Sequence, residues 1–483
     1  MFKRAFYANS SGILCSRVFG FLRDLCMASY LGAGIYSDIF FIAFKLPNLF
    51  RRIFSEGAFT QSFLPSFIAI NKKGIFSLCI FLIFISFLIL FSICVWIFSG
   101  FFTKILAYGF SDDVILLARP IVAINFWYLS LVFCVSFLSS LLQYKNNFWV
   151  SSYNTALLNI LMILALIFSR DKDSYTIVYF LSYGVLAGGI SQILLHFYPL
   201  YKLRLHLLFV IGFKELKNLL LSKNKAKLDS TLYDIKLFFK QFFPSLLGNS
   251  TAQLASLIDT LLASFLAYGS VSYLYYANRI FQLPLAIFAI ATSSALFPMV
   301  AKMIKNNDEN TALSLLKKAF WLLVFSLSIS VCGGIILKNE IIWILFERGK
   351  FLRADTLQVA NIFTCYLIGL LPFGLSRIFS LWLYSHGKQA KAAKISALSL
   401  LCGVIFSLLL MKPFGALGLS LASSISGFTL FALTIKEFGI SRFNSLLKAK
   451  KLIILLFVLL ILEFLILYFL KHSIDIGGFY AHI

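Results

Sequence analysis

From Gly74 to Thr103 the chain runs without a single charged side chain. The hydrocarbon core of a bilayer is crossed by about 20 apolar residues in helical form, and runs of this kind recur along the whole length. Inside lipid each backbone N–H and C=O needs a partner from the same segment, which a helix supplies. The sequence therefore predicts an all-α polytopic membrane protein. Composition agrees: 60% of the 483 residues are hydrophobic and 13% are charged, whereas soluble chains carry about 45–50% apolar and about 25% charged residues. A large soluble helical protein is excluded on that ground.

Apolar periodicity marks about thirteen helices, centred near 20, 45, 87, 128, 160, 187, 255, 287, 326, 370, 400, 425 and 460. Lys3 and Arg4 precede the first. That stretch contains Arg17, Arg23 and Asp24 and lacks the apolar core and small-residue end of a cleavable signal, so it reads as a retained span. The connections alternate in charge, and one set holds 26 of the 43 Lys and Arg residues. Positive residues stay on the cytoplasmic side during insertion. This predicts a cytoplasmic N-terminus and a periplasmic C-terminus. It also accounts for the formal charge of +24 through topology and attraction to anionic lipid headgroups, with no nucleic-acid partner. The longest inside connection contains LRLHLLFVIGFKELKNLLL (203–221), which reads as an amphipathic helix on the membrane surface.

The two halves repeat. DLCMASYLGAG (24–34) faces DTLLASFLAYG (259–269), with Asp24/Asp259, Ala28/Ala263, Ser29/Ser264, Leu31/Leu266 and Gly34/Gly269 identical. IAFKLP (42–47) then faces YANRIFQLP (276–284), and FLP (63–65) faces LFP (296–298). An even number of spans separates the copies, so both face the same way. That implies two six-helix lobes related by a pseudo-two-fold axis along the membrane normal, plus one extra C-terminal span. The expected domains are an N-terminal lobe over 1–200, a cytoplasmic amphipathic linker over 201–238, a C-terminal lobe over 239–440, an additional transmembrane helix over 451–470 and a periplasmic tail over 471–483. Pro47 and Pro284 interrupt matched helices and point to a site between the lobes.

Charges inside the spans locate that site. An ionised group at the bilayer centre costs about 2.5–3.5 kcal/mol, so such groups face water, one another or a ligand. Arg17, Arg23, Arg51, Arg52 and Arg279 are candidates to bind an anion, since planar guanidinium groups grip phosphate oxygens two at a time. Asp24, Asp38, Lys45 and Glu56 are their candidate charge partners. Arg17 and Asp24 are seven residues apart, as are Asp38, Lys45 and Arg52, which places each set on one helix face; Arg52 and Glu56 form an i,i+4 pair. Asp259 reads either as a cation site or as an interhelical hydrogen-bond partner, and Glu463, alone in the last span, has no assigned role, as does Arg377. A diphosphate headgroup fits such a set of cations. End-of-helix snorkelling is the competing reading, strongest for Arg51, Arg52 and Glu56.

No Walker loop, HExxH or GxSxG occurs, and the eight cysteines and five histidines form no metal spacing. No catalytic residue, metal or cofactor is expected. Energy would come from an ion gradient or the membrane potential.

SRVFGFLRD (16–24) and GAGIYSDIFFIAFKLPNLFRRIFSEGAFTQSFLP (32–65) closely resemble the N-terminal signature of the MurJ/MviN lipid II flippases, in the superfamily that also holds MATE exporters. ASFLAYGSVSYLYYANRIFQLP (263–284) and FERGKFLRADT (346–356) resemble two further segments of that family. The resemblance implies alternating access around a central cationic cavity. It places functional arginines on Arg17, Arg23, Arg51 and Arg279 and acids on Asp38 and Glu56. It implies lipid II as substrate, moved from the inner to the outer leaflet of the bacterial cytoplasmic (inner) membrane, with membrane lipids and cell-wall synthesis enzymes as partners. Two features depart from the family: Asn278 stands where an Asp is usual, and a single clear span follows residue 450 where two helices are common. A flippase for another polyprenyl-diphosphate glycan, a MATE-like cation-coupled exporter and a non-transporting scaffold are the alternatives.

Overall fold

The computed structural model describes residues 2–55, 58–222 and 225–473, and all regular structure among them is helical. Each expected span centre falls in a helical segment. By Cα proximity the chain forms two compact units, Met1–Gly269 and Ser270–Ile483.

The first unit contains α1 (Phe2–Leu31), α2 (Ile35–Ser55), α3 (Ala58–Ala69), α4 (Lys73–Ile97), α5 (Ser99–Leu106), α6 (Asp112–Phe126), α7 (Tyr128–Tyr144), α8 (Trp149–Phe168), α9 (Ser174–Lys202), α10 (His206–Ser222) and α11 (Lys225–Ala263). α1 lies along α8, and α8 along α9. Small residues permit that closeness. A Cβ on Gly184 would stand 2.7 Å from the Ala165 Cβ, and one on Gly188 would stand 2.6 Å from Leu158 Cδ1. In lipid, where burial of apolar surface drives little, such close backbone packing is what holds helices together.

Phenylalanine fills the other side of the unit. Phe59, Phe63, Phe67, Phe76, Phe133, Phe137 and Phe238 are fully buried. Phe59 and Phe63 stack at 5.2 Å between ring centroids, Phe84 and Phe133 at 5.1 Å, and Phe238 and Phe242 at 5.6 Å. Phe238 and Phe242 belong to α11, so this cluster draws the start of α11 onto α3 and α4. The expected linker over 201–238 is therefore α10 plus the start of α11, a continuous helix that runs on through the position expected for the seventh span. By Cα proximity the compact units part at 269/270, after α11.

α10 is docked on α4. Gly212 meets Gly74 so closely that a Cβ would stand 2.6 Å from the Gly74 carbonyl oxygen, and Glu215 Oε2 accepts from the Ile75 N–H at 2.9 Å. The carboxylate thus caps the start of α4, where backbone donors lack intrahelical partners. Its opposite side exposes Leu207, Val210, Phe213 and Leu221. Glu215→Ala weakens this docking by about 1 kcal/mol, read as roughly fivefold faster hydrogen exchange through α10.

The second unit contains α12 (Ser270–Pro284), a π-helical turn (Leu285–Ile290), α13 (Ala291–Lys305), α14 (Glu309–Ile336), α15 (Lys338–Phe346), α16 (Arg353–Ile368), α17 (Leu370–Ser385), α18 (Gln389–Phe438), α19 (Ile440–Leu447) and α20 (Lys450–Ser473). Pro284 closes α12 where the π turn begins, since its ring removes one ladder donor. Pro47, by contrast, lies inside a continuous α2. α18 breaks at Gly415, whose φ of 56° and ψ of −131° suit glycine alone, and this break separates the spans expected near 400 and 425.

Among the described residues, nine helical runs are long and apolar enough to cross a membrane. α1, the α2–α3 pair and α11 are not among them. These helices carry Arg17, Arg23, Asp24, Asp38, Lys45, Arg51, Arg52 and Asp259. The segments that hold these eight residues are too polar to pass as lipid-facing spans, whereas Arg279 lies on α12, in one of the nine.

Candidate functional site

The first unit gathers its charges into two clusters, described from the residues upward. On α1, Asp24 is buried, and Arg23 turns back upon it: Nε and Nη2 both donate to Asp24 Oδ1, at 3.1 and 2.6 Å. The third guanidinium nitrogen, Nη1, donates to Asn159 Oδ1 of α8 at 3.0 Å, and Asn159 Nδ2 donates to the Ser16 carbonyl at 3.3 Å. Arg23 is thus fixed across the seam between α1 and α8. The shared face expected for Arg17 and Asp24 is not realised as a contact environment, because Arg17 is exposed while Asp24 is buried.

The second cluster lies on α2, with α7 and α11 beside it. Lys45 is half-buried, and its Nζ donates to Ser256 Oγ of α11 at 2.8 Å. The Asp259 carboxylate, one helical turn beyond Ser256, and the Arg52 guanidinium both lie within electrostatic reach of this ammonium. Asp259 is exposed to solvent-accessible space. The cation beside it is Lys45. Arg51 takes a different direction: its Nε donates to Asn48 Oδ1 at 3.1 Å, and Tyr128 of α7 is within its electrostatic reach. The two neighbouring arginines diverge as their 100° separation on a helix requires, and both are half-buried.

Asp38 departs from its expected place beside Lys45 and Arg52. It is buried in the first turn of α2, and its Oδ2 accepts from the Gly269 backbone N–H at 2.6 Å. Gly269 has φ of +92°, which glycine adopts without strain. The carboxylate therefore ties the start of α2 to the turn after α11, at a residue matched to Gly34 in the repeat. Asp38→Ala leaves a buried amide without this acceptor, a loss of about 1–3 kcal/mol, so exchange at the Gly269 amide accelerates about tenfold to a hundredfold. Asp38→Asn retains an acceptor and has a smaller effect.

In the second unit Arg279 is half-buried on α12. Asn278, at the position where the resemblance leads one to expect an acid, accepts from Gln282 Nε2 one turn on. Arg377 is exposed on α17 although Ser376 and Ile378 beside it are buried. Glu56 lies outside the described residues. Among the described residues no group of His, Cys, Asp and Glu has the arrangement to hold a metal ion.

Sequence reasoning missed Asn159, Ser256, Asn48 and the Gly269 amide. Asn159 left a signal, as a polar residue inside the apolar run LLNILMILAL. Ser256 lies three residues before Asp259 and so shares its face. Arranged in this way, the site offers fixed guanidinium and ammonium groups, with acids and amides that can release them to an anion.

Comparison with known proteins places this arrangement. The family model described as Lipid II flippase MurJ matches residues 27–481. A Helicobacter pylori strain J99 protein named "Probable lipid II flippase MurJ" is 55% identical over 444 residues, covering 91% of this chain and 96% of its own. A protein of the same name from Buchnera aphidicola subsp. Schizaphis graminum is 33% identical, covering 97% and 90%. Among solved structures, one titled "Lipid II flippase MurJ, inward closed conformation" matches with a TM-score of 0.77 at 23% identity, over 98% of this chain and 99% of that one. An inward-facing MATE transporter of the MOP superfamily matches with a TM-score of 0.64 at 13% identity, over 90% and 96%. These two likenesses concern the fold.

Proposed function

Because this chain belongs to the MurJ lipid II flippase family, we propose that it carries lipid II from the inner to the outer leaflet of the bacterial cytoplasmic membrane by alternating access. It is a multi-pass membrane protein and a transporter, not an enzyme. The observation that supports this reading in the molecule itself is the set of basic residues on α1 and α2, each held by a neutral amide, a hydroxyl or an acid. Arg23 rests on Asp24 and Asn159, Arg51 on Asn48, and Lys45 on Ser256. Those partners can yield to a stronger one. A diphosphate offers charged oxygens to which N–H groups donate roughly twice as strongly as to neutral acceptors.

In this reading the guanidinium groups of Arg17, Arg23, Arg51, Arg52 and Arg279 meet the diphosphate from the cytoplasmic side. Asp24, Lys45 and Asp259 balance the charge as it arrives and leaves. The polyprenyl tail stays in lipid while the sugar–peptide head crosses the membrane. No covalent bond is made or broken. The membrane potential supplies about 2.3 kcal/mol per elementary charge per 100 mV. The N-terminus is cytoplasmic and the C-terminus periplasmic, following the charge asymmetry of the connections. Cell-wall synthesis enzymes are the partners that would use the delivered substrate.

The test is depletion of the chain in its own cells with a leaflet-specific assay for lipid II. The expected result is accumulation on the inner leaflet. An unchanged distribution in cells without a redundant flippase would contradict the assignment, and accumulation of a different polyprenyl-diphosphate glycan would redirect it to that substrate.

A further inference from the structure

Glu463 is the one acid on α20, midway along a helix otherwise apolar between Leu452 and Leu470. α20 packs on α14 along one stripe, and Ile454, Phe457, Ile461 and Phe464 are exposed on its other sides. Glu463 sits on the packed stripe. Its Oε1 would stand 3.0 Å from a Cβ on Gly333 of α14, and Leu467, one turn on, would stand 3.6 Å from it. The missing side chain at Gly333 makes the space that the carboxyl occupies. The Cys332 thiol and the Gly333 backbone are its polar neighbours. Its second oxygen, Oε2, is buried and has no hydrogen-bond partner.

Among the described residues no cation answers this acid. Lys471, two turns further on the same stripe, is engaged with Glu340 Oε1 of α15 at 3.1 Å and with the Ile336 carbonyl at 3.0 Å. Lys338 of α15 donates to Asn361 Oδ1 at 2.8 Å. The charged residues of α14 itself, Glu309, Lys317 and Lys318, all lie at its opposite end. A carboxylate in such a seam would be an uncompensated charge at membrane depth, whereas the neutral acid is small, apolar enough and able to share a hydrogen with the thiol.

We propose that Glu463 is a proton-binding site inside the membrane and that its proton holds α20 against α14. With the proton in place the carboxyl fills the Gly333 gap. When the proton passes to water, the carboxylate that remains has no cation in the seam and draws toward the aqueous border, so the contact with α14 loosens. Only a proton moves, between a carboxyl oxygen and water. The site shares no residue with the cations on α1, α2 and α12 and stands whatever substrate they bind.

The test uses the purified full chain in lipid nanodiscs. Dicyclohexylcarbodiimide adds to a protonated carboxyl in an apolar setting, and the O-acylisourea first formed rearranges to a stable N-acylurea that peptide mass spectrometry locates. The expected result is an adduct on Glu463 near neutral pH that falls by about tenfold or more as the pH is raised by about two units. Glu463→Gln has no adduct and keeps α20 docked, since the amide is neutral at every pH. Alkylation of Cys332 by N-cyclohexylmaleimide gives the second readout. Its rate in Glu463→Gln reports ionisation of the thiol alone, and in the wild type it rises more steeply with pH because α20 also loosens. An absence of adduct on Glu463 throughout overturns the proposal. So do Cys332 alkylation curves that coincide in wild type and variant.

Discussion

Arg23→Ala lowers the amount of chain in the membrane severalfold and lowers lipid II transport about tenfold to a hundredfold per chain, and adding Asp24→Asn restores the amount without restoring transport. The first effect follows from burial. Asp24 is fully buried, and the Arg23 guanidinium is seated on it. Removing one member of a buried pair costs about 3–5 kcal/mol because the remaining charge is left uncompensated. Asp24→Asn removes that charge, so the double variant assembles. The second effect follows from the ligand. A charge-assisted hydrogen bond contributes about 1.5–3 kcal/mol, so losing it from the diphosphate lowers transport about tenfold to a hundredfold. The measurement pairs quantitative immunoblotting of membranes with a leaflet-specific lipid II assay. A double variant that transports like the wild type would mean that Arg23 serves only to join α1 to α8.

Lys45→Met and Asp259→Asn, each alone, lower both assembly and transport, whereas the two together assemble normally. Lys45 Nζ is held by Ser256 of α11 with the Asp259 carboxylate in electrostatic reach. Each single change leaves one charge without its neighbour, and an ionised group placed at the bilayer centre costs about 2.5–3.5 kcal/mol. The double change leaves none. The expected coupling energy in the double-mutant cycle is about 1–3 kcal/mol. If Asp259 instead holds a cation independently of Lys45, Asp259→Asn has the same effect with Lys45 or Met at position 45. The cycle then shows no coupling.

The spans were legible because hydropathy and helical periodicity report on lipid contact directly, and lipid contact decides most of this fold. The short helices α5, α15 and α19 were not, since eight or nine residues at a span end leave no periodic signal of their own. The placement of α11 with the first unit was hidden for another reason. Phe238 and Phe242 look like any other apolar residues in sequence, and only the partners Phe59, Phe76 and Phe84 reveal where they go. At the site, residue types were legible and pairings only partly so. Spacing put Lys45 and Arg52 on one face, and the structure keeps them within reach of each other. Spacing also put Asp38 there, but a buried carboxylate in a first helical turn found the Gly269 amide instead. Arg23 and Asp24 are adjacent and so point about 100° apart from the backbone. The length and flexibility of the arginine side chain let it fold back on its neighbour, which helical registers do not register. Glu463 stood out in sequence as an acid without a function, and its place against Gly333 needed the packing of α20 on α14.

The claim on which this account rests is that the fixed cations of α1 and α2 recognise a diphosphate. Competition for lipid II binding, measured on the purified chain in nanodiscs, tests it most directly. Undecaprenyl diphosphate, which lacks sugar and peptide, is predicted to displace labelled lipid II, and Arg52→Ala to weaken that displacement about tenfold or more. Undecaprenol, with the same tail and no phosphate, is predicted to displace none at equal concentration. Displacement by undecaprenol equal to that by the diphosphate would show that the chain reads the lipid tail, and would contradict the account.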